Sequence, residues 1–203
     1  MYIPKPNILT DKNEALDFIK KFSFGTIITS KDNSPTATHL PFLVNLENEK
    51  IILTSHFAKA NRQWKDIEEN KVLTIFSEPH AYISPTNYQK DLNVPTWNYI
   101  AIHTYGKGRL ITDSNKVIEV LERTIINYEE SYKIQWDSLP NDYKEKMSNG
   151  IVAFEIEVDD LQAKKKLSQN KTEIEQKNII NSLSQSHNTN ENLIADYMKK
   201  ELK

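Results

Sequence analysis

The chain has 203 residues and no cysteine, with 26 basic and 28 acidic side chains and a formal net charge of −2. This length suits one domain with its own core, with or without a small appendage. The lack of cysteine excludes a disulfide scaffold, a thiolate nucleophile and a zinc–cysteine site. No apolar run reaches the length of a membrane span and no signal peptide is recognisable, so we expect a cytoplasmic protein without a membrane segment.

Charge is distributed unevenly along the chain. Residues 164–203 carry eight lysines against five acidic residues, whereas residues 1–163 carry 18 basic and 23 acidic side chains. Binding to DNA depends on a positive field around the phosphates. The acidic body of the chain therefore disfavours direct contact with DNA.

The first half of the sequence predicts one helix followed by short strands. Apolar residues at helical spacing, from Leu16 to Phe22, predict a helix from Asp11 to about Phe22. Turn residues then separate four extended segments, at 24–29, 35–46, 50–55 and 71–76. A short helix is predicted between the last two of these segments, near 60–70.

The second half alternates longer strands with helices. A Pro- and Tyr-rich excursion over 78–95 precedes the longest extended run, 96–112, in which Gly106 and Gly108 suit a bulge or a sharp bend. The remaining predictions are helices at 114–130 and 140–150, a strand at 151–158 and two helices after Lys171. Strands joined by hairpins, with helices inserted and appended, predict a mainly β fold with helices (β+α) built on a small antiparallel barrel. We assign the barrel domain to residues 1–163 and a C-terminal helical extension to 164–203.

The segment from Thr54 to Trp64 carries the clearest functional signal. Hydroxyls, His56 and the cations Lys59 and Arg62 stand where a strand is predicted to end and a helix to begin. Hydroxyl and amide donors, a helix N-terminus and lasting positive charge are the chemistry that binds a phosphate. The alternative is a simple strand-to-helix joint, in which the hydroxyls cap the helix and Lys59 faces solvent.

Two aromatic stretches, 80–88 and 94–99, form a second constellation. Their tyrosines and tryptophan suit a planar ring system, although a packed loop is the simpler interpretation of the same residues. On the following strand, Trp97, Tyr99, His103 and Tyr105 share one face, which predicts a pocket or a subunit interface there. The histidines are scattered, so we predict no metal site, and no catalytic residue is identifiable.

Taken in order along the chain, these segments resemble the PaiB family, described as FMN-binding negative transcriptional regulators of sporulation and degradative-enzyme genes. The segments that carry the resemblance cover nearly the whole length: Met1–Pro4, Ala37–Phe42, His56–Asn61, His80–Pro85, Val94–Tyr99 and Lys166–Asn170. Two positions depart from the family pattern. Arg62 stands where proline is expected, and Lys171 replaces an arginine.

The resemblance implies an FMN-binding split β-barrel, the group that includes pyridoxamine-phosphate oxidases and flavin reductases. It also implies a homodimer with FMN at the subunit interface. Thr54, Ser55 and Lys59 would then contact the phosphate, residues 38–41 would lie along the flavin, and Trp97 and Tyr99 would reach it from the other subunit. The predicted cofactor-binding residues are Thr38, His39, Leu40, Pro41, Thr54, Ser55, His56, Lys59, Trp97 and Tyr99.

Besides a dimeric interaction module that has lost its cofactor, two functions remain open on this resemblance. The first is a flavoprotein that acts as a negative transcriptional regulator by an indirect route, since no helix-turn-helix is visible and the body is acidic. The second is a flavin-dependent oxidoreductase of the pyridoxamine-phosphate-oxidase or flavin-reductase type. Nothing in the sequence names its substrate, because the flavin would carry the redox chemistry.

Overall fold

Strands dominate the chain and helices flank them, as a computed structural model that describes residues 1–202 shows. The strands are β1 Phe24–Lys31, β2 Ser34–Pro41, β3 Leu43–Glu47, β4 Lys50–Ala58, β5 Lys71–Ile83, β6 Thr96–Leu110 and β7 Ile151–Lys166. The α-helices are α1 Lys12–Lys21, α2 Ser114–Glu129, α3 Lys133–Ser138, α4 Asn141–Ser148, α5 Glu173–Ser184 and α6 Thr189–Glu201. The predicted β+α class is confirmed.

The strands form one antiparallel sheet in the order β2-β1-β5-β6-β7-β4-β3, which is not closed. The chain divides into two compact units. The first unit contains Met1–Ala15, Ser77–Ile102 and Gln162–Lys203, and the second contains Leu16–Phe76 and His103–Leu161. The prediction that a domain boundary falls between residues 163 and 164 stays a prediction.

Two tight hairpins in the second unit turn without glycine. Asp32 and Asn33 have φ of 51° and 60°, and Asn48 and Glu49 have φ of 47° and 66°. Two consecutive left-handed residues give the turn whose twist matches that of paired strands, and Asn and Asp tolerate this region better than most residues. The turns predicted between the segments 24–29 and 35–46, and between 35–46 and 50–55, are confirmed.

Phenylalanines from four parts of the chain fill the core of the second unit. Phe57 of β4 stacks on Phe154 of β7 with ring centroids 4.8 Å apart, and Phe42 meets Phe154 and Phe76 edge-on at 6.3 and 5.6 Å. All four are at most 1% exposed. Aromatic pairs in these geometries add to the free energy gained by burying their large apolar area.

One part of the sheet surface that faces away from this core lies against α2. Asp113 caps α2 by accepting hydrogen bonds from the amides of Asn115 and Lys116. Val117 and Val120 of the helix pack on Ala153 of β7. We call the outer side of β3, β4 and β7 the covered face; its members include Leu43, Thr54, His56 and Ala153.

The outer side of the other four strands is less buried. Pairing of β1 with β2 and β5 places Thr26 between His39 and Ile75, and Ile28 between Ala37 and Leu73. Phe24 on the same side is 67% exposed. We call this surface the open face; its members are Phe24, Thr26, Ile28, Ala37, His39, Pro41, Leu73, Ile75, His103 and Tyr105.

Gly106 and Gly108 stand where β6 approaches neighbouring segments closely. β6 runs from Thr96 to Leu110, and no glycine within residues 1–202 has a positive φ. A Cβ atom on Gly106 would lie 2.2 Å from the Glu157 carbonyl oxygen of β7, and one on Gly108 would lie 2.8 Å from the Ile67 carbonyl oxygen. Packing therefore requires glycine at both positions, and the bulge or sharp bend stays a prediction.

Several predicted boundaries were wrong, mostly because strand pairing continues beyond the local sequence signal. The segment 35–46 is two strands, since the Phe42 amide leaves the ladder and donates to the Ser23 carbonyl over 2.8 Å. β4 continues past Ser55 to Ala58 because all eight residues from Ile51 pair with β7. β5 extends into the predicted excursion, as far as Ile83, and β7 runs on to Lys166.

The helix predicted near 60–70 is a 3₁₀ helix, Arg62–Asp66, capped by Asn61. The helix α3, Lys133–Ser138, was not predicted. Both helices predicted in the tail are confirmed as α5 and α6. Among the helices of residues 1–202, none combines the length and apolar character that a membrane-spanning helix needs.

Candidate functional site

Hydrogen bonds bring the predicted residues of β2 and β4 into one region of the second unit. Ser55 Oγ donates to the Pro41 carbonyl oxygen over 2.6 Å. The segment after β4 also reaches β2, because Asn61 Nδ2 donates to Thr38 Oγ1 over 2.9 Å. These bonds connect Ser55 with Pro41 and the turn after β4 with Thr38, and the joint binding role of the predicted residues stays a prediction.

A buried glutamine, Gln63, holds this arrangement. It is 3% exposed, accepts from Thr38 Oγ1 over 2.6 Å, and donates through Nε2 to the Thr36 carbonyl at 2.9 Å and the Ile27 carbonyl at 3.3 Å. The sequence analysis missed this residue. Its one signal is a polar side chain two residues after Asn61, at the start of a helical turn.

Alternation along β4 separates the residues predicted to bind phosphate. Thr54 and His56 point to the covered face and Ser55 points to the opposite side, since neighbouring side chains of a strand face opposite ways. Thr54 pairs with Leu43 on one side and with Glu155 on the other. Its Oγ1 is buried and has no hydrogen-bond partner within residues 1–202. That orphaned hydroxyl is free to donate.

His56 contributes a neutral ring rather than a charge. Burial lowers the pKa of His56 below its ordinary value of 6.5. The ring is therefore uncharged at neutral pH, because desolvation disfavours the imidazolium form. The positive charge of this region comes from Lys59 and Arg62.

Lys59 lies in the turn directly after β4, where the backbone is fixed on both sides. Its amide donates to the Gly150 carbonyl over 2.9 Å, and its carbonyl accepts from Trp64 Nε1 over 3.2 Å. The side chain is exposed, as is that of Arg62. Within the described part of the chain, neither cation makes an ion pair or a side-chain hydrogen bond.

Lys59 also lines a cavity of about 160 Å³. The polar side chains on its wall come from the segments that flank α2 and α4: Thr112, Ser114, Ser148 and Asn149. The cavity is smaller than the roughly 300 Å³ or more of a typical ligand pocket, so it suits a phosphate group but not a whole flavin. Sequence reasoning missed these residues, although hydroxyls at a strand-to-helix joint such as Thr112 and Ser114 are a usable signal.

The side chains around Lys59 fit a phosphate, but fewer hydrogen-bond donors are available than the sequence predicted. Ser55 and Thr38 have already given their single protons to Pro41 and Gln63. The five-residue 3₁₀ helix offers little dipole compared with the predicted helix. Of the donors predicted in this segment, the ammonium of Lys59 lines the cavity, whereas the guanidinium of Arg62 and the buried hydroxyl of Thr54 are unpaired but lie outside its wall.

The four predicted flavin contacts on β2 alternate between two sides. His39 and Pro41 belong to the open face, where His39 lies roughly parallel to Phe24 with ring centroids 6.4 Å apart. Thr38 and Leu40 point the other way, opposite Ile27 and Gly25. A flavin ring that lies along β2 on one side of the sheet would therefore contact the backbone and only every second side chain.

Trp97 and Tyr99 belong to the first unit. Trp97 is 52% exposed and meets Tyr82 edge-on at 5.8 Å and His80 at 5.9 Å. Tyr99 is half-buried and has the Lys164 ammonium 5.0 Å from its ring centroid. The predicted aromatic face therefore exists and is partly open. Within residues 1–202, no group of three or more His, Asp or Glu side chains could hold a metal ion.

The fold is that of flavin-binding split-barrel proteins. The flavocytochrome Anf3 from Azotobacter vinelandii matches with a TM-score of 0.64 and 14% identity, over 81% of this chain and 72% of that one. The FAD and heme binding protein from Mycobacterium smegmatis matches with a TM-score of 0.62 and 10% identity, over 79% and 73%. At these identities the likeness concerns the fold alone.

The family is shown by the sequence itself. The chain belongs to the family whose model is described as "Putative FMN-binding domain", which matches residues 1–160. It is also 40% identical to "Protease synthase and sporulation protein PAI 2" of Bacillus subtilis (strain 168), over 100% of this chain and 99% of that protein. The resemblance to the PaiB family is therefore confirmed.

Proposed function

We propose that this protein binds FMN, with the flavin phosphate at the turn that follows β4. The observation that carries the proposal is the exposed, unpaired ammonium of Lys59 at a hydroxyl-lined cavity of phosphate size. Arg62 and the orphaned hydroxyl of Thr54 add donors. Family membership adds the expectation that the phosphate belongs to FMN.

The isoalloxazine ring is proposed to lie along β2, from Thr38 to Pro41, at the interface of a homodimer. Two features support a dimer. Phe24 is 67% exposed on the open face, and large apolar side chains on a sheet surface favour burial against a partner. Trp97 is 52% exposed in an aromatic cluster, and we propose that Trp97 and Tyr99 reach the flavin from the second protomer.

Replacement of Lys59 by alanine tests the phosphate site. The variant removes a charge-assisted contact, so we expect FMN affinity to fall by about 1–3 kcal/mol, measured by flavin fluorescence titration. Lys65→Ala is the matched control, because Lys65 is an exposed lysine of the same segment. Unchanged affinity in a folded Lys59→Ala protein would exclude Lys59 as the phosphate ligand.

For the biological role, we propose negative regulation of gene expression by an indirect route. The name of the Bacillus subtilis relative supports a link with sporulation and protease synthesis. The excess of acidic residues in 1–163 argues against a DNA-binding surface there. A salt-titrated DNA-binding assay with the FMN-loaded protein should give no binding; salt-dependent binding would show a direct regulator.

The alternative is a flavin-dependent oxidoreductase, and its test is separate. Anaerobic mixing of the FMN-loaded protein with NADH or NADPH should leave the flavin absorbance unchanged if the protein is only a regulator. Rapid bleaching of the flavin band would support the oxidoreductase instead.

A further inference from the structure

A second cavity in the second unit has the composition of an anion site. It has a volume of about 340 Å³ and lies between β3 and the C-terminal halves of α1 and α2. Lys20 and Arg123 are the charged side chains on its wall, and Asn45 and Asn127 are the other polar ones. None of the described residues that line it is acidic.

Both cations are available to a ligand. Lys20 and Arg123 make no ion pair with another residue of the described chain. Arg123 is held in place by Asn45: with the amide oriented so that its nitrogen donates to the Val44 carbonyl over 3.2 Å, its oxygen accepts from Arg123 Nη2. A guanidinium has five N–H donors, so this contact positions the group and leaves most of its donors unused.

The rest of the wall is apolar. Leu43 of β3 is 8% exposed and forms part of the floor, and Ile126 of α2 is 44% exposed at the side. A planar fork of donors above an apolar floor matches a carboxylate attached to an apolar body. The volume lies within the roughly 300–1,000 Å³ of small-molecule sites.

We propose that this cavity binds a small organic carboxylate, with the carboxylate at Arg123 and Lys20 and its apolar body against Leu43 and Ile126. The site uses none of the residues assigned to FMN. It goes beyond the proposed function, because it gives the protein a second ligand.

Benzoate is a suitable probe, with benzyl alcohol and inorganic phosphate as comparators. In NMR titrations of the full-length protein, benzoate should shift the amide signals of residues 43–45 and 126–127 in a saturable way. Benzyl alcohol lacks the charge and phosphate lacks the apolar body, so each should bind at least about tenfold more weakly. Equal binding of either comparator would overturn the proposed ligand class.

Variants separate this site from the flavin site. Arg123→Gln and Lys20→Gln should each weaken benzoate binding about tenfold, the scale of a charge-assisted hydrogen bond. Lys116→Gln, which removes a lysine from the same helix outside the cavity, should leave it unchanged. Lys59→Ala should keep benzoate affinity and Arg123→Gln should keep FMN affinity. Unchanged benzoate affinity in both cavity variants, or loss of FMN binding in Arg123→Gln, would overturn the proposal.

Discussion

On the covered face, Val117 and Val120 of α2 pack on Ala153, and all three side chains are at most 9% exposed. On the open face of the same sheet, Phe24 is 67% exposed. Both surfaces consist of antiparallel strands. They differ in whether a helix of the same chain packs against them. A helix covers the first surface, whereas Phe24 stays exposed on the second, where we propose that a second protomer packs.

A charge placed beneath α2 should have the largest effect. Val120→Asp would place a carboxylate against Ala153, at a position where the native side chain is 4% exposed. We expect the free energy of unfolding to fall by about 3 kcal/mol or more in urea denaturation. If this variant does not fold, Val120→Ala gives a milder measure, with an expected loss of about 2 kcal/mol. A loss below about 0.5 kcal/mol in both would mean that α2 does not cover this face.

The join between β6 and β7 links the two surfaces and should be nearly as sensitive. Gly106→Ala would place a methyl group 2.2 Å from the Glu157 carbonyl oxygen and 2.8 Å from Ile156 Cγ2. The strands must move apart, at an expected cost of about 2–3 kcal/mol of unfolding free energy. Gly150→Ala is the control, since its nearest contact is a milder 3.3 Å. Equal losses in the two variants would contradict the close-approach explanation.

The covered face should also respond to pH through His56. Its pKa is lowered by burial below the ordinary 6.5, so as the pH falls the unfolded chain takes up this proton before the folded chain does. Stability from this residue is complete above about pH 6.5 and decreases below it, towards the lower pKa of the folded state. The urea midpoint should fall between pH 7 and pH 5.5, and it should fall further for the parent protein than for His56→Asn. An equal fall in the two proteins would count against a buried neutral ring.

A charge on the open face should have the smallest effect on protomer stability. Phe24→Asp replaces a ring that is 67% exposed, so we expect the unfolding free energy of the isolated protomer to change by about 0.5 kcal/mol or less. The proposed homodimer, in contrast, should dissociate. Sedimentation velocity of the parent and the variant tests this expectation, and an unchanged dimer would place the interface elsewhere.

The sequence predicted the fold class, the hairpin turns and most helices, because these depend on local periodicity and turn chemistry. The sequence-based prediction was wrong where pairing between strands that are far apart in sequence determines where a strand ends. β4 continues to Ala58 because β7 pairs with it, so the joint expected directly after Ser55 is a further part of the strand, with His56 and Phe57 on opposite faces. The cavity at Lys59 was not predictable either, since Thr112 and Ser148 come from remote segments.

The sequence indicated which segments contribute to the candidate site better than it indicated where the strands and helices end. Hydrogen bonds link Ser55 to Pro41 and Asn61 to Thr38, which the family pattern placed in one site, but the binding roles of these residues stay predictions. Gln63, which orders the group, was overlooked. Its burial depends on three oxygen atoms of β1 and β2, and a single chain gives no sign of them.

Glu175 in the first unit joins two segments that lie 86 residues apart in sequence. One carboxylate oxygen completes the capping box of α5 by accepting from the Thr172 amide, and the other accepts from the Gln89 amide. Lys171 adds a hydrogen bond to Asn93 and lies 3.6 Å from the Tyr88 ring centroid. The loop after β5 and the first turn of α5 therefore share one set of bonds. We expect the two segments to gain and lose order together.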